Sequence, residues 1–381
     1  MHFSRIAILG MGQIGASIAA ALQHRPHAFH VVGFDLNENN TAYAKEQGWL
    51  DEAASSAQEA VATADLILLC TPVGTYGDVM QQIAAHIPEN CMLSDVGSIK
   101  QEAITQVLRH KPEHCRFIPG HPIAGTERSG PQSANPEFFK DHLMVITPLE
   151  DSTDEDIDAI KELWQHMQAR IAFLPALAHD VIYAHMSHLP QLLNFANGAF
   201  MASQHVHLSP NEKTLWAHMR TSRSDPEMWR DIFLSNQEHI LKACDNYQHL
   251  LRHLAQELRT GEKDEDAEIL EPLAITTQLV PHVTASCLIN QIYMLEQQME
   301  ISLRNFAAGG FIDFVAPASV EPEATIKQIS ANAEAVAGQL DAFDRELRPL
   351  YDAIVEGDRD ALLALLRERQ NVAKSMVMPQ H

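Results

Sequence analysis

The stretch PGHPIAGTERSG, Pro119–Gly130, combines reactive side chains with residues that fix the backbone. Glycine and proline supply turns, but a plain surface turn does not need His121, Thr126 and Glu127 among them. Histidine suits a general base because its pKa lies near working pH, and oxidation of an alcohol needs a base beside the hydroxyl. We therefore predict that His121 is a catalytic base, held in a pinned loop by its glycine and proline neighbours.

A second candidate functional segment is GMGQIG, Gly10–Gly15, which fits the pattern GxGxxG. It leaves a predicted strand, RIAILG, and opens a predicted helix, which is the context of a dinucleotide-binding turn. Gly10 would make the tight turn, Gly12 would let the backbone approach a pyrophosphate, and Gly15 would let the helix pack on the strand. The helix N-terminus adds N–H groups and the positive end of its dipole.

The next predicted strand, HVVGFD, ends in Asp35, twenty residues after Gly15. An acid at this distance accepts a hydrogen bond from a ribose 2′-hydroxyl and repels a 2′-phosphate. Asp35 therefore predicts NAD rather than NADP as the cofactor. The alternative is an apolar strand–helix turn with incidental glycines.

These residues must be positioned by the strands and helices that alternate over the N-terminal half. Alternation of this kind predicts a parallel, doubly wound sheet. Ligands bind such sheets at the carboxyl ends of the strands, where Thr71–Pro72, Asp95–Ser98 and the His121 loop fall. The predicted cofactor-binding residues are Gly10, Gly12, Gln13, Ile14, Gly15, Asp35, Thr71, Pro72 and Asp95.

The composition limits the class of partner. The chain has 381 residues, a mean hydropathy of −0.16 and a formal charge of −23, which predicts two or three soluble domains without general affinity for nucleic acid or an anionic membrane. Five scattered cysteines without a CxxC pair predict reduced thiols and a cytoplasmic location. The N-terminal apolar run has the form of a signal peptide, but its glycines and the following acid oppose that interpretation. Nothing else approaches a membrane span of about 20 apolar residues.

A metal site is the main rival to base catalysis by histidine. His110, His114, Cys115 and His121 lie close in sequence, as do His185 and His188. Neither set has the spacing of a closed metal site. We therefore predict no metal and expect a small-molecule substrate.

The C-terminal half reads as helical. A long helix is predicted from about Asp180, with a kink or a break at Pro190. Asp180, His188 and Gln191 on this segment could line a cleft.

Two arginines, Arg220 and Arg223, precede a turn at Asp225-Pro226. An arginine fork is the preferred holder of a carboxylate. The alternative for each arginine is a surface ion pair.

Taken in order, these motifs resemble the prephenate dehydrogenase family over about residues 1–260. The resemblance implies NAD-dependent oxidative decarboxylation of prephenate to 4-hydroxyphenylpyruvate in tyrosine biosynthesis, driven by formation of an aromatic ring and needing no metal. The similar arogenate and cyclohexadienyl dehydrogenases share the pattern. The motifs are Gly10–Gly15, DVGSIK at Asp95–Lys100, GHPIAGTERSG at Gly120–Gly130, HD with SHLP within His179–Pro190, and R-x-x-x-SDPEMWRDIF at Arg220–Phe233.

The same resemblance implies roles for individual residues. His121 would accept the proton of the ring hydroxyl, and Ser98 would hydrogen-bond near that hydroxyl. Arg220 would bind a substrate carboxylate, and Asp180 would orient that arginine. The residues implied at the mouth of the pocket are Thr126 and Glu127.

Two departures from the family pattern leave the substrate open. The family often has SHLPH where this chain has SHLPQ, ending in Gln191, and Trp216 stands where the family has a basic residue. Both positions belong to the end of the pocket where a pyruvyl or an alanyl group would lie. Prephenate and arogenate therefore both remain candidate substrates.

The C-terminal third repeats the helical domain that precedes it. A Pro-Glu pair at residue 226, an asparagine at 236 and a glycine at 261 all recur 96 residues later. Coincident leucines in two helices would not align these residue types together, so we predict a tandem duplication. The position matching Arg220 is Ala316, so the second copy has lost the substrate arginine. The predicted domains are a Rossmann-type NAD-binding domain (1–178), a helical substrate domain (179–275) and a degenerate helical repeat (276–381).

The duplication bears on assembly. The helical domain of the family pairs with that of a second subunit, so this chain is predicted to be a monomeric pseudo-dimer or a homodimer. Two other functions stay open. A β-hydroxyacid or imine reductase is disfavoured because no lysine lies between Lys161 and Lys213. A non-catalytic NAD-binding scaffold is disfavoured because His121, Ser98 and Arg220 are all present.

Overall fold

The computed structural model describes residues 3–24, 29–125, 128–204, 221–261, 269–307, 309–319 and 322–376. They belong to two compact units, Met1–Asp180 (unit 1) and Val181–His381 (unit 2). Three predicted site residues, Thr126, Glu127 and Arg220, lie outside the described residues.

Unit 1 is built on a parallel sheet. Its strands are β1 Arg5–Leu9, β2 His30–Phe34, β3 Glu52–Ala53, β4 Leu66–Leu69, β5 Met92–Asp95 and β6 Arg116–Ile118, in the spatial order β3-β2-β1-β4-β5-β6. The sequences of β1 and β4 are continuous apolar runs because both faces of a parallel sheet are covered. The strand order reverses between β1 and β4, and ligands bind at such a switch point. The predicted doubly wound fold is confirmed.

The helices of unit 1 follow strands along the chain, five of them in the parallel sheet and the sixth in a smaller sheet. They are α1 Gln13–His24, α2 Glu38–Glu46, α3 Ala57–Val61, α4 Tyr76–Ile83, α5 Lys100–Leu108 and α6 Asp154–His166. The start of α6 illustrates the local coding, because Thr153 and Asp156 form a reciprocal capping box there.

A smaller sheet carries His121. Its strands are β7 Gly120–Ile123, β8 Leu143–Ile146 and β9 Arg170–Phe173, with β7 antiparallel to β8 and at the edge. His121 lies opposite Val145 in this ladder. The prediction that His121 sits in a pinned loop is therefore wrong, because it is held in an edge strand. Pro122 is tolerated beside it, since an edge strand leaves one side of its backbone outside the ladder.

Unit 2 is helical, and its helices recur in the same order. The helices from the end of unit 1 onward are α7 Ala176–Tyr183, α8 Leu189–Ser203, α9 Pro226–Ser235, α10 Gln237–Thr260, α11 Pro272–Ala274, α12 Val280–Met299, α13 Gly309–Val315, α14 Pro322–Ala331, α15 Ala333–Glu356 and α16 Arg359–Ser375. The bounds of α9 and α10 reappear in α14 and α15 with a shift of 96 residues at both ends. We call residues 184–260 the first copy and residues 275–356 the second copy.

Each copy begins with a π-helical turn before a proline. Ala184–His188 precedes Pro190, and Ile275–Leu279 precedes Pro281 at the same spacing. Proline lacks an N–H and its ring crowds the carbonyl four residues earlier, so the helix widens for one turn. The distortion predicted at Pro190 takes this form, and α8 continues beyond it.

The long helices of the two copies, α10 and α15, pack on each other in opposite directions. Gln248 Nε2 donates to Asp344 Oδ1 at 2.7 Å, and the Tyr351 hydroxyl donates to Asp245 Oδ1 at 2.7 Å. Apolar side chains between them are almost fully buried and belong to one core cluster: Tyr247, Leu251, Leu340, Phe343 and Leu347.

One described segment, Pro272–Met299, is long and apolar enough by composition to cross a membrane. The prediction that no segment after the N terminus approaches a membrane span is therefore wrong on composition. In the structure, 61% of its most apolar window is buried inside the protein, which is typical of a core helix.

Candidate functional site

The glycine turn follows β1 at the switch point of the sheet. Gly10 has φ of +99°, and a Cβ there would lie 2.7 Å from the Cys70 backbone, so only glycine fits. A Cβ on Gly15 would lie 2.0 Å from the Gly10 carbonyl oxygen, which explains the close packing of α1 on this turn. A Cβ on Gly12 would meet no other described residue within 4 Å, its chain neighbours aside. Helix α1 begins immediately afterwards at Gln13, and Ile14 is half-buried in its first turn.

Asp35 follows β2 and contacts the glycine turn. Its Oδ2 accepts a hydrogen bond from the Met11 amide at 2.7 Å, and its Oδ1 accepts one from the Asn37 amide at 2.8 Å. These two bonds fix the carboxylate beside the start of α1. The predicted contact of Asp35 with a ribose remains a prediction.

Thr71 and Pro72 lie just beyond β4, at the carboxyl edge of the sheet. The Thr75 hydroxyl donates to the Pro72 carbonyl at 2.7 Å, and its oxygen lies 2.9 Å from Thr71 Oγ1. The predicted loop is thus pinned from within by one threonine.

Asp95, the last residue of β5, is fully buried at the centre of a polar cluster. Its oxygens accept from the Gly97 amide at 2.8 Å, the Gly120 amide at 3.0 Å and the Tyr76 hydroxyl at 3.2 Å. All these donors are internal, so the structure gives Asp95 a supporting role. Its predicted contact with a cofactor stays a prediction.

Lys100 is a buried residue to which the sequence patterns assigned no role. Its Nζ donates to Asp95 Oδ2 at 2.6 Å and to the Gly120 carbonyl, and its side chain is 0% exposed. Burial lowers the pKa of Lys100, while the adjacent Asp95 carboxylate opposes that effect. The pair joins the end of β5 to the start of β7, one residue before His121. Ser98 is half-buried on the loop between β5 and α5.

His121 is the outer member of a chain of hydrogen bonds. Its Nδ1 lies 2.9 Å from His179 Nε2, and His179 Nδ1 lies 2.7 Å from Asp180 Oδ1. Asp180 in turn accepts from the amides of Lys100 at 2.8 Å and Gln101 at 2.9 Å, which are the first residues of α5. His121, His179 and Asp180 are therefore tied to a helix N-terminus.

Burial and neighbouring groups shift the pKa values of His179 and Asp180 in this hydrogen-bonded row. Burial lowers the pKa of His179, against the opposing influence of Asp180. Burial raises the pKa of Asp180, but hydrogen bonds from His179 and from the amides of Lys100 and Gln101 outweigh it, and the net pKa is lowered. A carboxylate facing a neutral imidazole follows at neutral pH.

In unit 2 the predicted residues His188 and Gln191 are both buried. The Asn236 side-chain amide donates to His188 Nδ1 at 3.0 Å, and Gln191 Nε2 donates to the Thr221 carbonyl at 2.7 Å. Thr221 directly follows Arg220 in the chain. Gln191 thus holds the backbone next to the predicted substrate arginine.

Among the described residues, no group of three or more His, Cys, Asp or Glu side chains is arranged to hold a metal ion. The five cysteines at positions 70, 91, 115, 244 and 287 are free thiols.

Two family descriptions match the chain. The nucleotide-binding domain of prephenate dehydrogenase matches residues 18–173. The dimerization domain of prephenate dehydrogenase matches twice in succession, over residues 175–272 and 272–368.

Individual relatives agree with these matches. A cyclohexadienyl dehydrogenase of Zymomonas mobilis is 32% identical over 273 residues, which is 70% of this chain and 92% of that protein. A prephenate dehydrogenase of Bacillus subtilis is 27% identical, covering 70% of this chain and 72% of that protein. The solved structure of an Aquifex aeolicus prephenate dehydrogenase with hydroxyphenyl propionate and NAD+ has a TM-score of 0.62 at 25% identity, covering 68% of this chain and 92% of that one.

Proposed function

Because this chain belongs to the prephenate dehydrogenase family, we propose that it catalyses the NAD-dependent oxidative decarboxylation of prephenate to 4-hydroxyphenylpyruvate. The observation that carries this proposal is the placement of His121. Its neighbour Gly120 is bonded to Asp95 at the carboxyl end of β5, so the imidazole lies at the edge of the sheet where ligands bind. Tyrosine biosynthesis in the cytoplasm is the pathway and location that fit this reaction.

The glycine turn fits NAD. The open space beside Gly12 would admit the pyrophosphate, and the N-terminus of α1 would supply N–H groups to it. Asp35 would accept from the ribose hydroxyls, and Thr71 and Pro72 would flank the site. When bound, NAD supplies the hydride acceptor. The Aquifex aeolicus relative was solved with NAD+.

The protein residues then do two things. His121 takes the proton of the ring hydroxyl as the carbon that bears this hydroxyl is oxidised. Ser98 hydrogen-bonds near the same hydroxyl. Arg220, oriented by Asp180, would hold a carboxylate of the substrate. Thr126 and Glu127 would line the mouth of the pocket.

Arogenate, or both cyclohexadienyl acids, is the alternative substrate. The relative at 32% identity is a cyclohexadienyl dehydrogenase, and Gln191 replaces the histidine found in many family members. The amide of Gln191 is engaged with the Thr221 carbonyl, which leaves its oxygen as the part that would meet a substrate side chain.

The test is a steady-state assay of the purified chain with prephenate and with arogenate, each with NAD and with NADP. Turnover of prephenate with NAD is expected, with kcat/KM lower for NADP because Asp35 repels a 2′-phosphate. His121→Asn should lower kcat by about 10²–10⁴-fold while sparing NAD affinity. Thermal unfolding of the variant serves as the control for folding. No turnover of either acid by wild-type protein would contradict the proposed function.

A further inference from the structure

We propose that His179 is the positioning residue that fixes the tautomer of His121, leaving Nε2 of His121 as the basic nitrogen. The inference rests on the proposed function, because it concerns the base of that reaction. It assigns a role to a residue that touches neither substrate nor cofactor, since the His179 side chain is 0% exposed.

The proton positions follow from the partners of His179. Asp180 is ionised and can only accept, so the 2.7 Å contact requires a proton on His179 Nδ1. A neutral imidazole protonated at Nδ1 carries a lone pair at Nε2. The 2.9 Å contact between His179 Nε2 and His121 Nδ1 then needs a proton on His121 Nδ1. His121 Nε2 is left with the lone pair that a general base requires.

Neutrality of His179 is the condition for this order of protons. Burial lowers the pKa of His179, which disfavours an imidazolium at this place. Among the described residues, the charged groups that act on it include the Asp180 carboxylate and the buried Lys100–Asp95 pair, which are of mixed sign. A doubly protonated His179 would donate to His121 Nδ1 and reverse its tautomer, and its burial opposes that state.

The chain of hydrogen bonds is anchored at both ends by one structural unit. Asp180 is held by the first two amides of α5, and Lys100, the first residue of α5, also holds Asp95 and the Gly120 carbonyl through its Nζ. Gly120 is adjacent to His121 on β7. The start of α5 thus fixes both the Asp180 carboxylate and the strand that carries His121. Turning the His121 ring would break its 2.9 Å contact with His179.

Two substitutions of His179 separate its contacts. The amide N–H of His179→Asn would stand near Nδ1 and keep the bond to Asp180, but it would offer His121 no acceptor. The amide oxygen of His179→Gln would stand near Nε2 and keep an acceptor for His121. We expect His179→Asn to lower kcat by up to about 10⁴-fold with KM nearly unchanged, the loss seen when a catalytic histidine is left in the wrong tautomer. His179→Gln should retain most of the wild-type kcat.

A readout on the wild-type chain without substrate decides the tautomer directly. In ¹⁵N-histidine-labelled protein, the signals of His121 are identified by their loss in His121→Asn. We expect a protonated, pyrrole-type Nδ1 and an unprotonated, pyridine-type Nε2. The reverse assignment would overturn the inference, whether or not the His179 variants fold.

The outcomes distinguish this inference from the proposed function. If wild-type protein turns over prephenate or arogenate and His121→Asn does not, but His179→Asn keeps its kcat, then only the role of His179 is wrong. If His179→Asn and His179→Gln lose kcat and stability equally, His179 is merely structural. If wild-type protein turns over neither acid, the proposed function fails, and the NMR spectrum still tests the tautomer.

Discussion

The first and second copies of unit 2 keep the same scaffold and differ in their polar residues. His188 and His185 of the first copy correspond to Leu279 and Thr276 of the second, at the same spacing from the proline. Arg220 corresponds to Ala316. The bounds of α9 and α10 repeat to the residue in α14 and α15, so the two copies share this part of the scaffold while the polar residues named above differ. The comparison teaches that the folding information and the chemical information in this domain are separable.

One contact has been kept with a different side chain. Gln191 Nε2 donates to the Thr221 carbonyl at 2.7 Å, and His282 Nδ1 lies 3.1 Å from the Pro317 carbonyl. Gln191 and His282 each directly follow the proline of their copy. Both residues therefore clamp the backbone of the segment that begins at Arg220 or at its counterpart. This contact belongs to the scaffold, and a substrate role for Gln191 comes in addition to it.

The packing of α10 on α15 has the pattern of a two-fold interface. Gln248 contacts Asp344, which is its own counterpart 96 residues later, so this pair lies at the pseudo-axis. Asp245 accepts from Tyr351, and its counterpart Asp341 accepts from Arg259 at 2.5 Å. The Gln248–Asp344 contact between counterparts is what an isologous dimer shows at its axis, whereas Tyr351 and Arg259 are not counterparts of each other. We propose that the second copy stands in, within one chain, for the dimerization domain of a partner subunit.

Of the changes considered for the two copies, removal of the second copy should have the largest effect, because it alters the solubility and association of the chain. A chain ending at Glu271 would expose side chains of the first copy that are now fully buried, among them Tyr247 and Phe200, whose ring packs on Phe343. We expect it to aggregate or to dimerise through α10, whereas the full chain of 42.4 kDa should sediment as a monomer. Sedimentation velocity of both chains measures this. A soluble monomeric 1–271 chain would mean that the cis pairing is dispensable.

Substitutions at the arginine position of the first copy and at its counterpart in the second should have different effects on kcat/KM. Arg220→Gln should reduce kcat/KM for the cyclohexadienyl acid by the equivalent of about 2–5 kcal/mol, as for a truncated buried charge pair. The matched change Ala316→Arg should leave kcat/KM within about twofold, because the second copy has no nucleotide-binding domain of its own. If Arg220→Gln weakens NAD binding instead and KM for the acid is unchanged, the substrate role of Arg220 is wrong.

Substitutions of the two backbone clamps, Gln191 and His282, should lower the free energy of unfolding equally but differ in their effect on KM. Gln191→Leu removes the side-chain donor of the Thr221 carbonyl, which keeps the Ser224 amide at 3.0 Å. His282→Leu removes the side-chain partner of the Pro317 carbonyl. Each substitution should lower the free energy of unfolding by about 0.5–1.5 kcal/mol. Only Gln191→Leu should also raise KM for the substrate, since Thr221 adjoins Arg220. Gln191→His copies the second copy and should restore both properties. Urea titration and steady-state kinetics are the measurements, and equal kinetic effects of Gln191→Leu and His282→Leu would count against the assignment.

The smallest expected difference concerns pH. Burial lowers the pKa of His185 against the hydrogen bond to the Val181 carbonyl, and Lys242 and His239 lower it further. Below about pH 6.5, His185 binds a proton in the unfolded chain but stays neutral in the native protein until a lower pH. The free energy of unfolding therefore falls as the pH is lowered. Thr276 makes the same bond to the carbonyl four residues earlier without titrating.

His185→Thr should therefore flatten the fall in unfolding free energy between pH 7 and pH 5. The control is Thr276→Val, which should lower stability equally at both pH values. Urea titrations at several pH values measure both variants. An unchanged slope in His185→Thr would show that other groups carry the acid sensitivity of unit 2.

Much of the fold could be predicted from short stretches of the sequence. The apolar runs of β1 and β4, the glycines at 10 and 15 and the 96-residue repeat are each encoded within windows of a few residues or by comparison of one helix with another. Backbone sterics, strand burial and helix periodicity act over such distances. For the same reason the sequence alone determined the doubly wound sheet, the helical second half and the family.

What only the tertiary structure decided is which polar groups meet. The placement of His121 on a strand depends on pairing with β8, which comes from a different part of the chain. His179 reaches His121 across 58 residues of sequence, and Asp180 reaches the Lys100 amide across 80. The sequence contained all these residues, but it did not show their partners, because a buried donor bonds to the acceptor that lies within about 3 Å of it in the folded protein. That choice is made by the assembled sheet and helices, since desolvation leaves no water to satisfy the group otherwise.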